Sequence, residues 1–87
     1  EQNFPNPFNP STSIPFVLPS RAQVRLSVFN VLGQRVRTLL NSQIEAGYHR
    51  LAWDGQNDEG SQAGAGVYFY LLESGQFRQT RKMTLVK

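Results

Sequence analysis

Short segments in which every second residue is apolar set the strongest limit on how this chain can fold. The clearest are residues 14–18 and 24–28, where Ile, Phe, Leu or Val stands at alternate positions. Successive side chains of a β-strand point to opposite faces, so this period predicts strands with one buried face. No segment sustains the 3.6-residue period of an amphipathic helix. Turn-forming residues separate the segments about every 8 to 12 residues, which favours a small antiparallel β domain.

The first half of the chain predicts a β-hairpin. Residues 30–33 form a turn signal, and Gly33 can adopt a positive φ there. Residues 35–40 then return beside the strand at 24–28. Residues 41–46 are rich in polar side chains, and we expect them to form a loop.

A further strand is expected to begin at Gly47. His49, Leu51 and Trp53 recur at period two in this segment and therefore share one face. The next segment, residues 54–66, is rich in Asp, Asn, Gly and Ala, which predicts a long polar connection.

The last third of the chain predicts a second hairpin. Residues 67–72 are apolar on both faces, which is typical of a central strand. A turn over residues 73–76 leads into a final strand over residues 77–86, with Met83 and Leu85 facing the core.

These elements predict an all-β fold, an Ig-like antiparallel β-sandwich of about seven short strands. A chain of 87 residues supports one modest core. Pro5, Pro7 and Pro10 exclude a helix at the start of the chain. We therefore predict a Pro/Asn-rich lead-in over residues 1–10, packed on a sandwich formed by residues 11–87.

Catalytic and membrane functions find little support in the composition. The chain has one histidine, His49, no cysteine, and six acidic residues scattered over turns and strand ends. We expect His49 to be a half-buried strand residue, and we expect no enzymatic activity. The longest apolar run has six residues, far below the roughly 20 that cross a bilayer. The net charge of +3 comes without a nucleic-acid-binding motif, so no nucleic-acid partner is expected.

One loop carries candidate ligands for a metal ion. Asp54, Asn57 and Asp58, with Glu59 beside them, supply the oxygen atoms that calcium prefers. The same residues also cap the amides of tight turns. Their spacing does not follow that of a helix-loop-helix calcium site, so turn capping is the favoured interpretation. No other cofactor is expected.

Aromatic residues offer a second candidate site. A flat platform that stacks on sugar rings would suit a carbohydrate-binding module of a polysaccharide-degrading enzyme. The alternative is that these rings fill the core. The residues concerned are Tyr48, Trp53, Tyr68, Tyr70 and Phe77.

Five segments also form an ordered set of motifs across almost the whole chain. They are Asn-Phe-Pro-Asn-Pro-Phe-Asn-Pro-Ser-Thr at 3–12, Val-Phe-Asn-Val-Leu-Gly-Gln at 28–34, Ala-Gly-Tyr-His with Trp-Asp-Gly within 46–55, Gly-Ala-Gly-Val-Tyr-Phe-Tyr-Leu at 64–71, and Lys-Met-Thr-Leu-Val-Lys at 82–87. Together they resemble the type A C-terminal sorting domains of type IX secretion. The chain is also similar to the Ig-like domain of the flagellar hook-capping protein.

The resemblance implies a domain that is carried behind an upstream cargo domain in a secreted bacterial protein. Its implied partners are the outer-membrane translocon of type IX secretion and a sortase-like peptidase. Its implied location is secreted or at the cell surface, reached through the periplasm and outer membrane. The positions implied for recognition are Pro5, Pro7, Gly47, Gly66, Tyr68, Lys82 and Lys87. A carbohydrate-binding module and a purely structural Ig-like spacer stay open as alternatives.

Overall fold

The fold consists of short antiparallel strands. A computed structural model describes residues 2, 7, 11–75 and 77–86 of the chain. No helix occurs within these ranges, and none is therefore long and apolar enough to cross a membrane. The described residues form six strands: β1 Thr12–Leu18, β2 Ala22–Asn30, β3 Arg35–Ile44, β4 Gly47–Trp53, β5 Gly66–Ser74 and β6 Phe77–Leu85.

The strands form two sheets. One pairs β1 with β4, and the other has the order β3-β2-β5-β6, with every pair antiparallel. The chain passes between the sheets after β1, β3 and β4. The prediction of an all-β antiparallel sandwich is confirmed, with six described strands in place of about seven.

The core lies between the sheets and is built from alternate residues of the strands. The positions predicted inward on the first two strands are buried, and Trp53 is fully buried at the end of β4. Burial of each large apolar side chain stabilises a fold by about 1.5–3 kcal/mol. The buried apolar residues are Ile14, Phe16, Leu18, Val24, Leu26, Val28, Trp53, Tyr68, Tyr70, Leu72, Met83 and Leu85.

The loop predicted over residues 41–46 is wrong for most of its length, because β3 continues to Ile44. The reason is the length of its partner strand. β2 begins at Ala22, and its first four residues pair with the end of β3, where Asn41 lies opposite Arg25. The Gln23 side-chain amide also donates to Asn41 Oδ1 at 3.2 Å. Tertiary pairing of this kind outweighs the low strand propensity of Asn, Ser and Gln.

The second hairpin forms as predicted. β5 lies between β2 and β6, which makes it a central strand. β6 runs from Phe77 to Leu85, one residue short of the predicted end. Met83 and Leu85 both face the core, with exposures of 0% and 2%.

Most of the predicted lead-in lies outside the described residues, Pro5 included. Pro7 is described and is exposed. The Gln2 side-chain amide donates to the Lys82 carbonyl oxygen at 2.9 Å, which places residue 2 beside β6. The division into a lead-in and a sandwich stays a prediction.

Candidate recognition surface

β6 holds its side chains in a fixed register against β5. The pairing is unbroken from Phe77 opposite Ser74 to Leu85 opposite Gly66. Arg78, Arg81 and Lys82 are exposed along this strand. Because Met83 and Leu85 anchor the strand in the core, these basic side chains project from an ordered ladder.

The basic residues of β6 divide between the two faces of the sheet. Lys82 lies opposite Phe69, and Arg78 lies opposite Glu73, on the face away from the core. Arg81 lies opposite the buried Tyr70 and therefore on the core side. It is nevertheless exposed there. A partner approaching the outer face would meet Lys82 and Arg78 but not Arg81.

Two glycines predicted as recognition residues begin strands in backbone conformations that other residues rarely adopt. Gly47 opens β4 with φ of +126°, and Gly66 opens β5 with φ of +147°. A Cβ atom would meet nothing within 4 Å at either position. The requirement for glycine is therefore conformational, and each residue sets the direction in which the chain enters its strand.

Tyr68 fastens the long connection before β5 to the core. Its hydroxyl donates to the Gly64 carbonyl oxygen, four residues upstream, at 2.6 Å. Its ring packs edge-on against Trp53, with centroids 5.4 Å apart and planes at 69°. Only 8% of the residue is exposed. Any recognition role of Tyr68 would be indirect, through the shape that it maintains.

The remaining positions predicted for recognition fall into two groups. Lys82 is exposed on β6, and its backbone carbonyl accepts the hydrogen bond from Gln2. Pro5 and Lys87 lie outside the described residues. The structure therefore gathers Lys82 and Gly66 on the same hairpin and places Gly47 on the other sheet.

The three candidate calcium ligands each accept hydrogen bonds from backbone amides. Asp54 Oδ1 accepts from Gln56 N at 3.0 Å, and Asp58 Oδ1 accepts from Thr38 N at 3.0 Å. Asn57 Oδ1 accepts from two amides further along the loop, at 3.0 and 2.9 Å. No group of three or more acidic or histidine side chains converges within the described part of the chain. Asp54 and Asn57 bond local amides, as turn capping requires, whereas Asp58 bonds the amide of Thr38 on β3. Calcium binding stays the alternative interpretation.

Arg37 holds this loop in place and was not among the predicted site residues. Its guanidinium lies 3.6 Å from Asp54 Oδ1 and 3.9 Å from Asp58 Oδ1. It also donates to the Gln56 carbonyl oxygen at 3.4 Å. Arg37 lies opposite the buried Val28, on the core side of β3. No local sequence pattern marks this role, because the register shifts of β3 determine which way Arg37 faces and its partners lie about 20 residues later.

The five aromatic residues proposed as a sugar-stacking platform do not share one surface. Trp53, Tyr68 and Tyr70 are buried in the core, as the alternative interpretation predicted. Tyr48 and Phe77 are more than half exposed, but they lie on different sheets. Carbohydrate binding through a combined platform therefore has no geometric support from these rings.

His49 lies half-buried on β4, as predicted. Its ring stacks on Phe16 with centroids 5.4 Å apart, and its Nε2 lies 2.7 Å from the Glu45 carbonyl oxygen. These contacts give the histidine a packing role at the start of the smaller sheet.

An open apolar groove lies at the end of the sandwich that carries the β5–β6 turn. It has a volume of about 430 Å³. Val17 and Phe77 flank it with exposures of 62% and 55%, and Leu72 forms part of its floor. The sequence gives no direct signal for this groove, because its walls come from strands that are distant along the chain.

The two packed antiparallel sheets, the buried tryptophan and the tyrosine bonded back to its own loop define an immunoglobulin-like sandwich domain. A family model described as the FlgD Ig-like domain matches residues 8–76. The chain belongs to this family. No curated protein matches the chain.

Three solved structures have a similar fold. Dimeric latent PorU from Porphyromonas gingivalis superposes with a TM-score of 0.77 and 22% identity, over 98% of this chain and 9% of that one. FlgD from P. aeruginosa gives 0.67 and 21% identity, over 85% and 57%. PorZ of the P. gingivalis type IX secretion system gives 0.65 and 16% identity, over 99% and 11%. The chain spans less than two thirds of each of these proteins, and the likeness establishes the fold.

Proposed function

We propose that this chain is a non-catalytic C-terminal sorting and attachment domain of a secreted bacterial protein. The outer-membrane translocon of type IX secretion recognises it, and a sortase-like peptidase then acts as the cargo is anchored at the cell surface. The ordered motifs support this role. So does the likeness to a domain of PorZ, which is an essential bacterial surface component of type IX secretion.

The observation that carries the proposal is the geometry of β6. A sorting signal must be displayed in the same way behind many different cargo domains, so it must belong to an independently ordered element. β6 meets this requirement, because an unbroken ladder to β5 and the buried Met83 and Leu85 fix the exposed Lys82 beside them. The recognition determinant is therefore proposed to be the basic end of this strand.

The structure dictates how this proposal is tested. Deleting residues 82–87 would remove Met83 and Leu85 from the core, and loss of one such side chain alone costs about 2–5 kcal/mol. Small domains are stable by only about 5–15 kcal/mol, so the deletion would confuse unfolding with loss of the signal. Charge reversal by Lys82→Glu together with Lys87→Glu keeps the buried residues in place.

The assay fuses a reporter protein upstream of the domain in a bacterium that has type IX secretion. The wild-type fusion is expected at the cell surface, and the double variant is expected to accumulate in the periplasm. Arg21→Glu is the matched control, because Arg21 is exposed and belongs to the other end of the sandwich. Circular dichroism of the purified variants checks folding. Failure of the wild-type domain to export the reporter would refute the sorting role. Normal surface display of the folded double variant would show that Lys82 and Lys87 do not carry the signal.

A further inference from the structure

The outer face of the four-stranded sheet is apolar where a two-layer sandwich needs polar residues. The inner face of β5 is buried against the core, so the alternate residues Val67, Phe69 and Leu71 point away from it. Phe29 of β2 points the same way. All four are half-buried. An antiparallel sheet with one solvated face normally carries polar side chains there, so this face has the character of a surface that a further layer covers.

The strand register arranges this face in rows. Phe29 lies opposite Phe69 across the central pair of strands. Arg35 of β3 lies opposite Phe29, and Lys82 of β6 lies opposite Phe69. With strands about 4.8 Å apart, the row spans roughly 15 Å and reads Arg-Phe-Phe-Lys from edge to edge. Two cations thus border a pair of aromatic rings.

The next row is apolar or carries only hydroxyl groups. Ser27 lies at its centre, opposite Leu71 on one side and Thr38 on the other, and Thr80 completes the row. Ser27 is 1% exposed, and its hydroxyl has no hydrogen-bond partner among the described residues. Water is therefore excluded from this hydroxyl at the centre of the face.

The third row adds positive charge. Arg25 lies opposite Glu73, and Arg78 lies opposite Glu73 from the other side. Glu73 Oε1 is 3.0 Å from the Arg25 guanidinium, and Oε2 is 3.7 Å from that of Arg78. Among the residues that the structure describes, the face therefore carries four cations and one carboxylate around its apolar centre.

We propose that this outer face docks an acidic, amphipathic segment of a partner protein. Apolar side chains of the segment would cover Phe29, Phe69 and Leu71, and its carboxylates would pair with Arg35 and Lys82 at the edges. Charge complementarity selects this occupant. A second copy of the chain is disfavoured, because two such faces would bring like charges together. The docking surface shares Lys82 with the proposed export signal, but it is tested by peptide binding to the purified domain, so its failure and the failure of the export role are distinguishable.

The test uses the intact domain labelled with ¹⁵N and two synthetic helical peptides. The first peptide carries Leu along one face with Glu on both flanks, and the second is identical but has Lys in place of Glu. Titration followed by amide NMR is expected to show saturable binding of the Glu peptide. The shifted amides should cluster on Phe29, Phe69 and Leu71. Affinity should fall as salt rises from 50 to 300 mM, because exposed charges contribute to it.

A charge-reversed domain provides the sharper measurement. The Arg35→Glu, Lys82→Glu double variant is expected to lose about tenfold in affinity for the Glu peptide and to gain a similar factor for the Lys peptide. Arg81→Glu is the matched control, since Arg81 adjoins Lys82 but lies on the opposite face. It should leave the preference between the two peptides unchanged.

A second pair of variants examines the apolar centre. Phe69→Thr should abolish binding of the Glu peptide, and Phe77→Thr, an exposed phenylalanine away from this face, should not. Thermal unfolding and the dispersion of the amide spectrum check that both variants fold.

Several outcomes would overturn the proposal. They are absence of saturable Glu-peptide binding up to 1 mM, equal binding of the Lys peptide, and shifts that cluster around Val17 and Phe77. Self-association of the free domain through this face would instead assign it to a second copy. Binding to phosphatidylglycerol vesicles without binding to the Glu peptide would assign it to a membrane surface.

Discussion

Replacing Tyr68 with phenylalanine removes one oxygen atom and leaves the packing of the ring against Trp53 in place. The lost group donates a short hydrogen bond, 2.6 Å, to the Gly64 carbonyl oxygen in a partly buried setting. A hydrogen bond of this kind contributes about 0.5–1.5 kcal/mol, and the carbonyl left without its donor adds to the cost. We expect the free energy of unfolding to fall by about 1–2 kcal/mol.

Thermal unfolding measures this change directly. For a domain of this size, 1 kcal/mol corresponds to about 4–8 °C in Tm, so Tyr68→Phe should lower Tm by roughly 4–16 °C. Trp53 is the single tryptophan of the chain and touches the Tyr68 ring, so its fluorescence reports unfolding next to the altered site. Amide exchange should also accelerate at Ala63, whose N–H donates to the Gly55 carbonyl in the connection that Tyr68 fastens.

Tyr48→Phe is the matched control. It removes the same atom from a tyrosine that is 58% exposed and whose hydroxyl accepts a hydrogen bond from Arg50 at 3.0 Å. Water replaces that partner, so the stability should change by less than about 0.5 kcal/mol. Equal stability losses in the two variants, or a Tyr68→Phe variant as stable as the wild type, would refute the role assigned to the Tyr68 hydroxyl.

Three further substitutions test other parts of the fold. Gly47→Ala should lower the free energy of unfolding by about 1–3 kcal/mol in chemical denaturation, because a side chain at a φ of +126° is strained. Gly64→Ala, at a position with open space and no positive φ, should cost less. A larger loss for Gly64→Ala would contradict the conformational role of Gly47. Met83→Ala should cost about 2–5 kcal/mol, since the residue is fully buried, against less than about 0.5 kcal/mol for the exposed Thr80→Ala on the same strand; similar losses would place Met83 outside the core. Arg37→Met should lower Tm and accelerate amide exchange at residues 57–63, and unchanged exchange there would show that the loop holds without its guanidinium.

Most strands were predicted correctly because a half-buried strand shows an alternation of apolar and polar residues over a few consecutive positions. Leu26 and Val28 alternate with polar residues only because one face of β2 meets the core, and this can be recognised within five residues. A different signal identified β5: it is apolar on both faces, which predicted a central strand. Boundaries were less accurate where a strand is stabilised by its partner and not by its own composition, as at Asn41.

The distribution of strands between the sheets could not be predicted in the same way. β2 pairs with β5, which follows much later in the chain: Val24 lies opposite Ser74, and Asn30 lies opposite Tyr68. Nothing in either segment alone specifies that partner, because every strand here offers a similar apolar face. The role of Arg37 was missed for a related reason: its partners Asp54 and Asp58 follow about 20 residues later and approach it only once the loop folds back. Lys82, by contrast, was predicted as a recognition residue from the motif that contains it, and the structure places it exposed on β6.

The position of β6 has a consequence for the order of events during synthesis. A ribosome makes Met83 and Leu85 after the other core residues that the structure describes, yet both belong to the core. Until they emerge, β5 has a neighbour on one side only, and the space between the sheets is incomplete. Chains are made at about 5–20 residues per second, so the nascent domain waits unfinished until its last strand arrives. Compact folding of this domain therefore requires that translation has passed Leu85. A product that ends before β6 would be recognised by its failure to fold.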